Sequence, residues 1–192
     1  MISPAIPLRQ KNMPILGYRT WRLSHQGLQA ISRTHIWAPR QALHYSHFGL
    51  SPCKGFQECD CGFYAFHSPN LPSLFASIHY PNHDHLLPPY FSCSGATINW
   101  GKVVVGENGI RSTDAKVVAL LDIGNSLWNC EAEVYRSPRA RFDPDFLPEL
   151  FKKRQTQLEV IANRYEIPLL TKAKLEIYAR EFGSPAQDEL TN

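Results

Sequence analysis

The chain has 192 residues, enough for one domain with a core and too few for two full domains. Its 43% hydrophobic and 11% aromatic content is typical of a globular protein, and no apolar stretch approaches the length of a membrane span. The net charge of +3 conceals an asymmetry, because seven Lys and Arg residues and no acidic residue precede Glu58. A basic N-terminal half indicates an anionic partner, either nucleic acid or protein.

The N-terminal segment has no secretory signal pattern, because prolines interrupt it and it has no continuous apolar stretch. We therefore expect a soluble, cytoplasmic protein without membrane contact. Residues 1–14 are predicted to be a flexible tail, with translation starting at Met1 or Met13, and residues 184–192 a second flexible tail. One α+β domain should span residues 15–183. The odd count of five cysteines favours metal binding or simple burial over disulfides.

The first predicted element is a β-hairpin. Gly17–Ser24 alternates and is rich in β-forming residues, and a tight turn at His25–Gly27 leads into a second strand, Leu28–Trp37. Residues 40–60 have no hydrophobic period and are dominated by His, Cys, Gly and Pro. An ordered loop of this length needs something other than secondary structure to hold its shape, and a bound metal would supply it.

The middle of the chain predicts one isolated strand and a second hairpin. Gly62–Phe66 is a short apolar run typical of a buried strand, followed by a short helix at Ser73–His79 and a proline-rich loop at Tyr80–Tyr90. Ala96–Val105 and Ile110–Leu121 flank an Asn-Gly dipeptide, which is the strongest short-range hairpin signal.

The C-terminal third predicts two helices. Asp143 and Pro144 supply an N-cap and a first-turn proline for a long helix that Pro168 ends, and a second helix at Lys172–Phe182 should stop at Gly183 as a C-cap. The apolar residues of the long helix form one stripe: Leu147, Leu150, Phe151, Leu158, Ile161 and Tyr165. The elements together predict an α+β fold, a small and mostly antiparallel sheet or partly open barrel with the long C-terminal helix packed on it.

The aperiodic stretch concentrates side chains that bind metals. Zinc favours four thiolate or imidazole ligands, and four available ligands favour a closed structural site over a catalytic one. The predicted zinc ligands are His44, Cys53, Cys59 and Cys61. His47 could replace His44, and the alternatives are buried, unligated cysteines or an iron–sulfur cluster that recruits Cys93. Solvent exposure is the simpler interpretation of three further histidines, His79, His83 and His85.

Arginines interleave with aromatic residues in the first hairpin, an arrangement that binds single-stranded nucleic acid by stacking and charge. Strand alternation places Arg22 on one face and Arg19 and Trp21 on the other, which favours a core position for at least one tryptophan. Arg111, beside the second turn, could hold a phosphate or carboxylate or form an ordinary surface ion pair. The predicted anion-binding residues are Arg19, Trp21, Arg22, Arg33, Trp37, Arg40 and Arg111.

Several short motifs follow one another along residues 17–170. They are Gly17-Tyr-Arg-Thr-Trp21, Cys59-Asp-Cys-Gly-Phe-Tyr-Ala65, Trp100-Gly-Lys-Val103, Gly109-Ile-Arg111 and Tyr165-Glu-Ile-Pro168. In this order they resemble an uncharacterised family found in actinobacteria and their phages. The resemblance implies an upstream Cys and His before the Cys-x-Cys pair, and His44 and Cys53 occupy those places here with the ligand types exchanged. It brings no established activity.

These observations favour a non-enzymatic binding or regulatory domain with a structural zinc, encoded by a phage or mobile element, that contacts nucleic acid or protein through its basic half. One alternative is an enzyme acting on a nucleotide or nucleic acid, with arginines holding phosphate and Glu58 or Tyr64 in the chemistry. No Walker, Rossmann, nucleophile-elbow or His-Glu-x-x-His motif supports it. Another alternative is a virion or host-takeover protein that exposes an apolar patch beside the long helix.

Overall fold

The computed structural model describes residues 6–7, 14–30, 36–37, 43–44, 62–68, 92–124 and 142–185. Strands and two helices lie within them, which confirms the predicted α+β class. The strands are β1 (Ile6–Pro7), β2 (Ile15–Ser24), β3 (Gly27–Ala30), β4 (Leu43–His44), β5 (Phe63–Phe66), β6 (Ser92–Val105), β7 (Gly109–Leu121), β8 (Leu169–Leu170) and β9 (Ser184–Pro185). The helices are α1 (Phe146–Tyr165) and α2 (Lys172–Ala179).

The sheet is built around the β6–β7 hairpin and is mostly antiparallel, as predicted. β7 pairs with one edge of β6, and β2 pairs with the other edge in a continuous register from Ile15 opposite Asn99 to Arg22 opposite Ser92. The Asn-Gly turn is closed by a hydrogen bond of 2.8 Å from Gly106 N to the carbonyl of residue 109. Two short strands run parallel to their neighbours, β8 beside β7 and β9 beside β2.

Strand β5 connects the two outer strands of this three-stranded unit. It pairs along its length with β7, and its last residue, Phe66, pairs with Tyr18 of β2. The strands β6, β2, β5 and β7 therefore form a ring-like circuit. Within the described residues the circuit is not a closed barrel, because β2 and β5 share a single residue pair.

The inside of the circuit combines a small apolar cluster, formed by Ile15, Ala65, Val105 and Ile110, with buried polar side chains. A Cβ atom on Gly17 would lie 2.5 Å from Ala65 Cβ and 3.2 Å from Ile110 Cδ1, so only glycine fits there. Asn99 Nδ2 donates to the carbonyl of Ile15 at 3.2 Å, and its Oδ1 accepts from Ser112 Oγ at 3.2 Å. These buried polar groups satisfy one another and hold β2, β6 and β7 in register.

The first predicted hairpin is confirmed, with a turn at His25 and Gln26 between β2 and β3. Its second strand is described as far as Ala30 and again at Ile36 and Trp37, where Ile36 pairs with Gln29. The helix predicted at residues 73–79 and the loop predicted at 80–90 lie outside the described residues.

Helix α1 begins two residues after its predicted start. Asp145 rather than Asp143 is the N-cap residue, because Asp143 belongs to a separate turn in which its carbonyl accepts from Phe146 N at 3.2 Å. The helix ends at Tyr165, where Glu166 adopts a left-handed φ of 53°. None of the helices in the described part of the chain is both long and apolar enough to cross a membrane.

Helix α2 ends at Ala179, three residues before its predicted end, and Gly183 is not its cap. A Cβ atom on Gly183 would lie 2.7 Å from the carbonyl of Pro14, so glycine is needed there for close approach to the chain that enters β2. Short strands lie in both predicted tails, since Ile6–Pro7 pairs with β6 and Ser184–Pro185 pairs with β2. The boundaries of the domain stay a prediction.

Apolar side chains form two main clusters, one beneath each helix. The α1-side core contains Trp21, Leu23, Leu28, Trp37, Phe63, Cys93, Ala115, Val117, Leu120, Leu150, Leu158, Ile161, Ala162 and Tyr165. The α2-side core contains Leu16, Tyr18, Ala96, Val118, Ala119, Leu121, Leu175 and Ala179. Because side chains alternate along β2, this strand contributes residues to both clusters. The long helix covers an apolar face of the sheet, as the sequence predicts.

Candidate functional site

Trp37 lies at the centre of an aromatic cluster in the α1-side core. Its indole packs edge-on against Trp21, with ring centroids 5.4 Å apart, and against Phe63, with centroids 5.2 Å apart. Its backbone N–H donates to the carbonyl of Leu28 at 2.9 Å, and its own carbonyl accepts from the hydroxyl of Tyr165. Ring contacts and backbone hydrogen bonds together fix the position of the indole.

Tyr165 connects helix α1 to the first hairpin. Its hydroxyl accepts from the N–H of Leu28 at 3.0 Å and donates to the carbonyl of Trp37. Burial raises the pKa of this hydroxyl, so it keeps its proton as a donor at neutral pH. A Cβ atom on Gly27, whose φ is 140°, would lie 2.6 Å from the hydroxyl oxygen, so glycine makes room for it.

Replacing Tyr165 by phenylalanine should lower the free energy of unfolding by about 1–2 kcal/mol. The change leaves the ring in place and removes one partner from each of two buried backbone groups, Leu28 N–H and Trp37 C=O. Urea titration of the variant and the wild type measures the difference. Tyr178→Phe, at a partly exposed tyrosine of α2, is the control and should change stability much less; equal losses would contradict the bridging role.

Arg19 lies against the aromatic cluster. Its guanidinium carbon is 5.1 Å from the ring centroid of Trp37, and its Nη1 donates to the carbonyl of Tyr64 at 2.7 Å. Burial lowers the pKa of Arg19 to about 10, which leaves the group charged at neutral pH. Within residues 14–30, 62–68, 92–124 and 142–185, no carboxylate pairs with this cation.

The other predicted anion-binding residues are placed differently from Arg19. Arg22 lies three residues along β2 and therefore on the opposite face. Arg111 is a buried residue of β7 that pairs with Tyr64, the residue whose carbonyl accepts from Arg19. Trp21 and Trp37 are 0% and 2% exposed, so neither indole offers a ring face to solvent, and both pack the core. Sequence alternation predicts a core position for at least one tryptophan, and both of these indoles are buried. Arg33 and Arg40 lie outside the described residues.

The predicted zinc ligands lie almost entirely outside the described residues. This holds for Cys53, Cys59 and Cys61, for the alternative ligand His47, and for the second histidine group, while only the backbone of His44 is described. In the part of the chain that the structure describes, no group of three His, Cys, Asp or Glu side chains could hold a metal ion. Cys93, the additional ligand of the iron–sulfur alternative, is buried opposite Trp21 in the α1-side core.

The described backbone fixes both ends of the predicted zinc segment. His44 pairs with Asp114, and Phe63, which follows Cys61 by two residues, pairs with Ser112. Because β6 occupies the other edge of β7, both pairings fall on the same edge of that strand. Two residues of a strand span roughly 7 Å, so the segment begins and ends at neighbouring points. The backbones of His44 and Phe63 are therefore close together at this edge.

Asp114, the residue opposite His44, occupies a position shaped by a β-bulge. The register of β6 shifts between Trp100 and Val103, and Gly101 in the bulge has a φ of 77°. A Cβ atom on Gly101 would collide with the carboxylate of Asp114 and with the hydroxyl of Thr113, which donates to that carboxylate at 2.7 Å. Carboxylates commonly orient metal-binding histidines through the second ring nitrogen. The bulge thus packs against the carboxylate of Asp114, whose backbone pairs with that of His44.

The structure also describes residues on which the two alternative functions depend, the enzyme and the protein that binds through an exposed apolar patch. Tyr64 is 47% exposed on β5, and Glu58 lies outside the described residues. Large apolar side chains are exposed before α1 at Phe142 (85%), on α1 at Val160 (50%) and on α2 at Ile177 (70%).

Comparison of the chain with known protein families, with curated proteins and with solved structures found no match. The resemblance to the actinobacterial and phage family stays a prediction that rests on its motifs.

Proposed function

We propose that the protein is a non-enzymatic binding or regulatory domain of the cytoplasm, encoded by a phage or mobile element. A structural zinc ion completes its fold, and its basic N-terminal half contacts an anionic partner, nucleic acid or protein. The proposed zinc ligands are His44, Cys53, Cys59 and Cys61. The observation that carries the proposal is that His44 and Phe63, which follows the last proposed ligand by two residues, pair with the same edge of β7.

The donor set and the fold fit a structural zinc. Three thiolates and one imidazole fill a tetrahedral shell and leave no position open for a substrate, and the bound ion itself supplies the cross-link. His44 stands at the start of the segment and Cys61 two residues before β5, so ligation ties together two points that the sheet already brings close. In the proposed site, the carboxylate of Asp114, whose backbone pairs with that of His44, would orient the imidazole.

A binding role is favoured over catalysis by the placement of the arginines. The enzymatic alternative needs Arg19, Arg22 and Arg111 to hold one phosphate around a common pocket. Arg19 and Arg22 occupy opposite faces of β2, which separates two of the three groups. A single, partly buried cation beside the aromatic cluster suits recognition of a partner's charge better than stabilisation of a transition state.

Purified protein should contain about one zinc ion per chain, and Cys61→Ser should lose it, because serine is a poor zinc ligand at neutral pH. Elemental analysis after removal of loosely bound metal measures the content. Cys93→Ser is the matched control: it exchanges the same atoms in the α1-side core and should keep the zinc. Metal-free wild-type protein, or a Cys61→Ser variant with full zinc content, would disprove the zinc half of the proposal.

A further inference from the structure

We infer that Arg19 is the binding group of a site for one oxyanion, a phosphate or a carboxylate, at the side of the aromatic cluster. The inference rests on the proposed function where it takes the partner to be anionic, and it names the chemical group by which that partner is held. It does not depend on the zinc ion.

The first support is a charge that the described structure does not balance. A guanidinium taken out of water is normally paired with a carboxylate, because its desolvation is costly. Arg19 is partly buried, and burial alone accounts for the lowering of its pKa. In the described ranges its recorded contacts are the carbonyl of Tyr64 and the ring of Trp37, both neutral. An anionic ligand would supply the missing charge.

The second support is the orientation of the guanidinium. Of its five N–H groups, one is used by the carbonyl of Tyr64, and no other hydrogen bond of this guanidinium is present among the described residues. The planar fork of arginine matches two oxygens of a carboxylate or phosphate in parallel hydrogen bonds. Because Trp37 is fixed by Trp21 and Phe63, the fork is held in place before a ligand arrives.

The third support is the end of the pairing between β2 and β5 beside Arg19. The two strands pair at Tyr18 and Phe66, and Arg19 is the next residue of β2. From there its side chain reaches β5 through the hydrogen bond to the carbonyl of Tyr64. We expect the oxyanion to bind at this point, on the N–H groups that the carbonyl does not use.

The same geometry limits the ligand to a single anionic group. Recognition of single-stranded nucleic acid needs exposed aromatic faces for the bases, and both indoles of the cluster are buried. Phosphate and carboxylate share the two-oxygen geometry that one guanidinium can bind. We therefore expect one phosphate or carboxylate group of the partner to bind Arg19. The affinity should depend mainly on the pairing of this group with the guanidinium.

The test is a titration with sodium phosphate and, separately, sodium acetate at constant ionic strength, followed by tryptophan fluorescence and by the thermal midpoint. Wild-type protein should respond saturably, since the guanidinium contacts the Trp37 ring. Arg19→Gln should weaken binding more than about tenfold. Arg180→Gln, at an exposed arginine that follows α2, is the matched control and should bind as wild type. The tighter probe identifies the group as phosphate or carboxylate.

A second variant separates binding from folding. Arg19→Met removes a buried charge and keeps the stem, so its thermal midpoint should stay within about 4 °C of wild type or rise, while the response to both anions is lost. No saturable response of the wild type to either anion would overturn the inference, as would binding retained by Arg19→Gln or strong destabilisation of Arg19→Met. Zinc content should be unchanged in both variants, so failure here is distinguishable from failure of the zinc proposal.

Discussion

Replacing Trp37 by alanine should lower the free energy of unfolding by about 3–5 kcal/mol. The indole is 2% exposed and touches Trp21 and Phe63, so its removal leaves a cavity in the centre of the α1-side core. The neighbouring backbone cannot close over the cavity, because the hydrogen bonds of residue 37 to Leu28 and Tyr165 keep it in place. The variant should unfold at a much lower urea concentration. Circular dichroism measures this, with the same dependence of the unfolding free energy on urea concentration assumed for both proteins.

Phe142→Ala controls for the loss of an aromatic side chain as such. Phe142 is 85% exposed, so its replacement should change the free energy of unfolding by no more than about 0.5 kcal/mol. Trp37→Phe should fall between the two variants, because it keeps part of the ring contact. A loss below about 1 kcal/mol for Trp37→Ala would contradict the central position of this indole.

Local signals in the sequence were sufficient to predict both hairpins. The turn that contains Gly27 and the Asn-Gly turn before Ile110 are both short and carry residues that favour a specific turn geometry, and both hairpins are confirmed. The single strand at Phe63–Phe66 is also confirmed. Its place between β2 and β7 was not predictable, because one four-residue strand has no turn to specify its neighbours.

The aromatic part of the candidate site shows what strand alternation can predict and what it cannot. Alternation correctly placed Arg19 and Trp21 on one face of β2, since the period of a strand is two residues. It could not show that Trp37 is buried as well, because the groups that cover it come from Tyr165 and Phe63, far away in the chain. Burial of both indoles changes the expected ligand from a stacked base to a single anionic group.

A charged residue inside an apolar stripe was the signal that the sequence analysis missed. Arg154 lies four residues from both Leu150 and Leu158, so it shares their face of α1, and it is 1% exposed. Its Nη2 donates to the carbonyl of Gly124 at 2.6 Å, which joins the helix to the chain that leaves β7. Helical periodicity places such a residue on the buried face, although it cannot identify a backbone carbonyl as its partner.

Gly17→Ala should lower the free energy of unfolding by about 3 kcal/mol, an unusually large effect for one added methyl group. The new Cβ would lie 2.5 Å from Ala65 Cβ, 3.1 Å from Asn99 Nδ2 and 3.2 Å from Ile110 Cδ1. Three strands of the circuit would have to move apart, and the hydrogen bond from Asn99 to β2 would be strained. Urea titration measures the loss.

The nearest obstruction to that methyl group is itself a single methyl group, which permits a direct test by double mutation. Gly17→Ala combined with Ala65→Gly should be clearly more stable than the sum of the two separate losses predicts, because the second change removes the colliding atom. Gly106→Ala is the matched control, since its Cβ would meet only the carbonyl of residue 109 at 3.7 Å, and it should be nearly neutral. Strictly additive losses would mean that β2 and β5 do not meet across Gly17 and Ala65, and the ring-like circuit of β6, β2, β5 and β7 would be disproved.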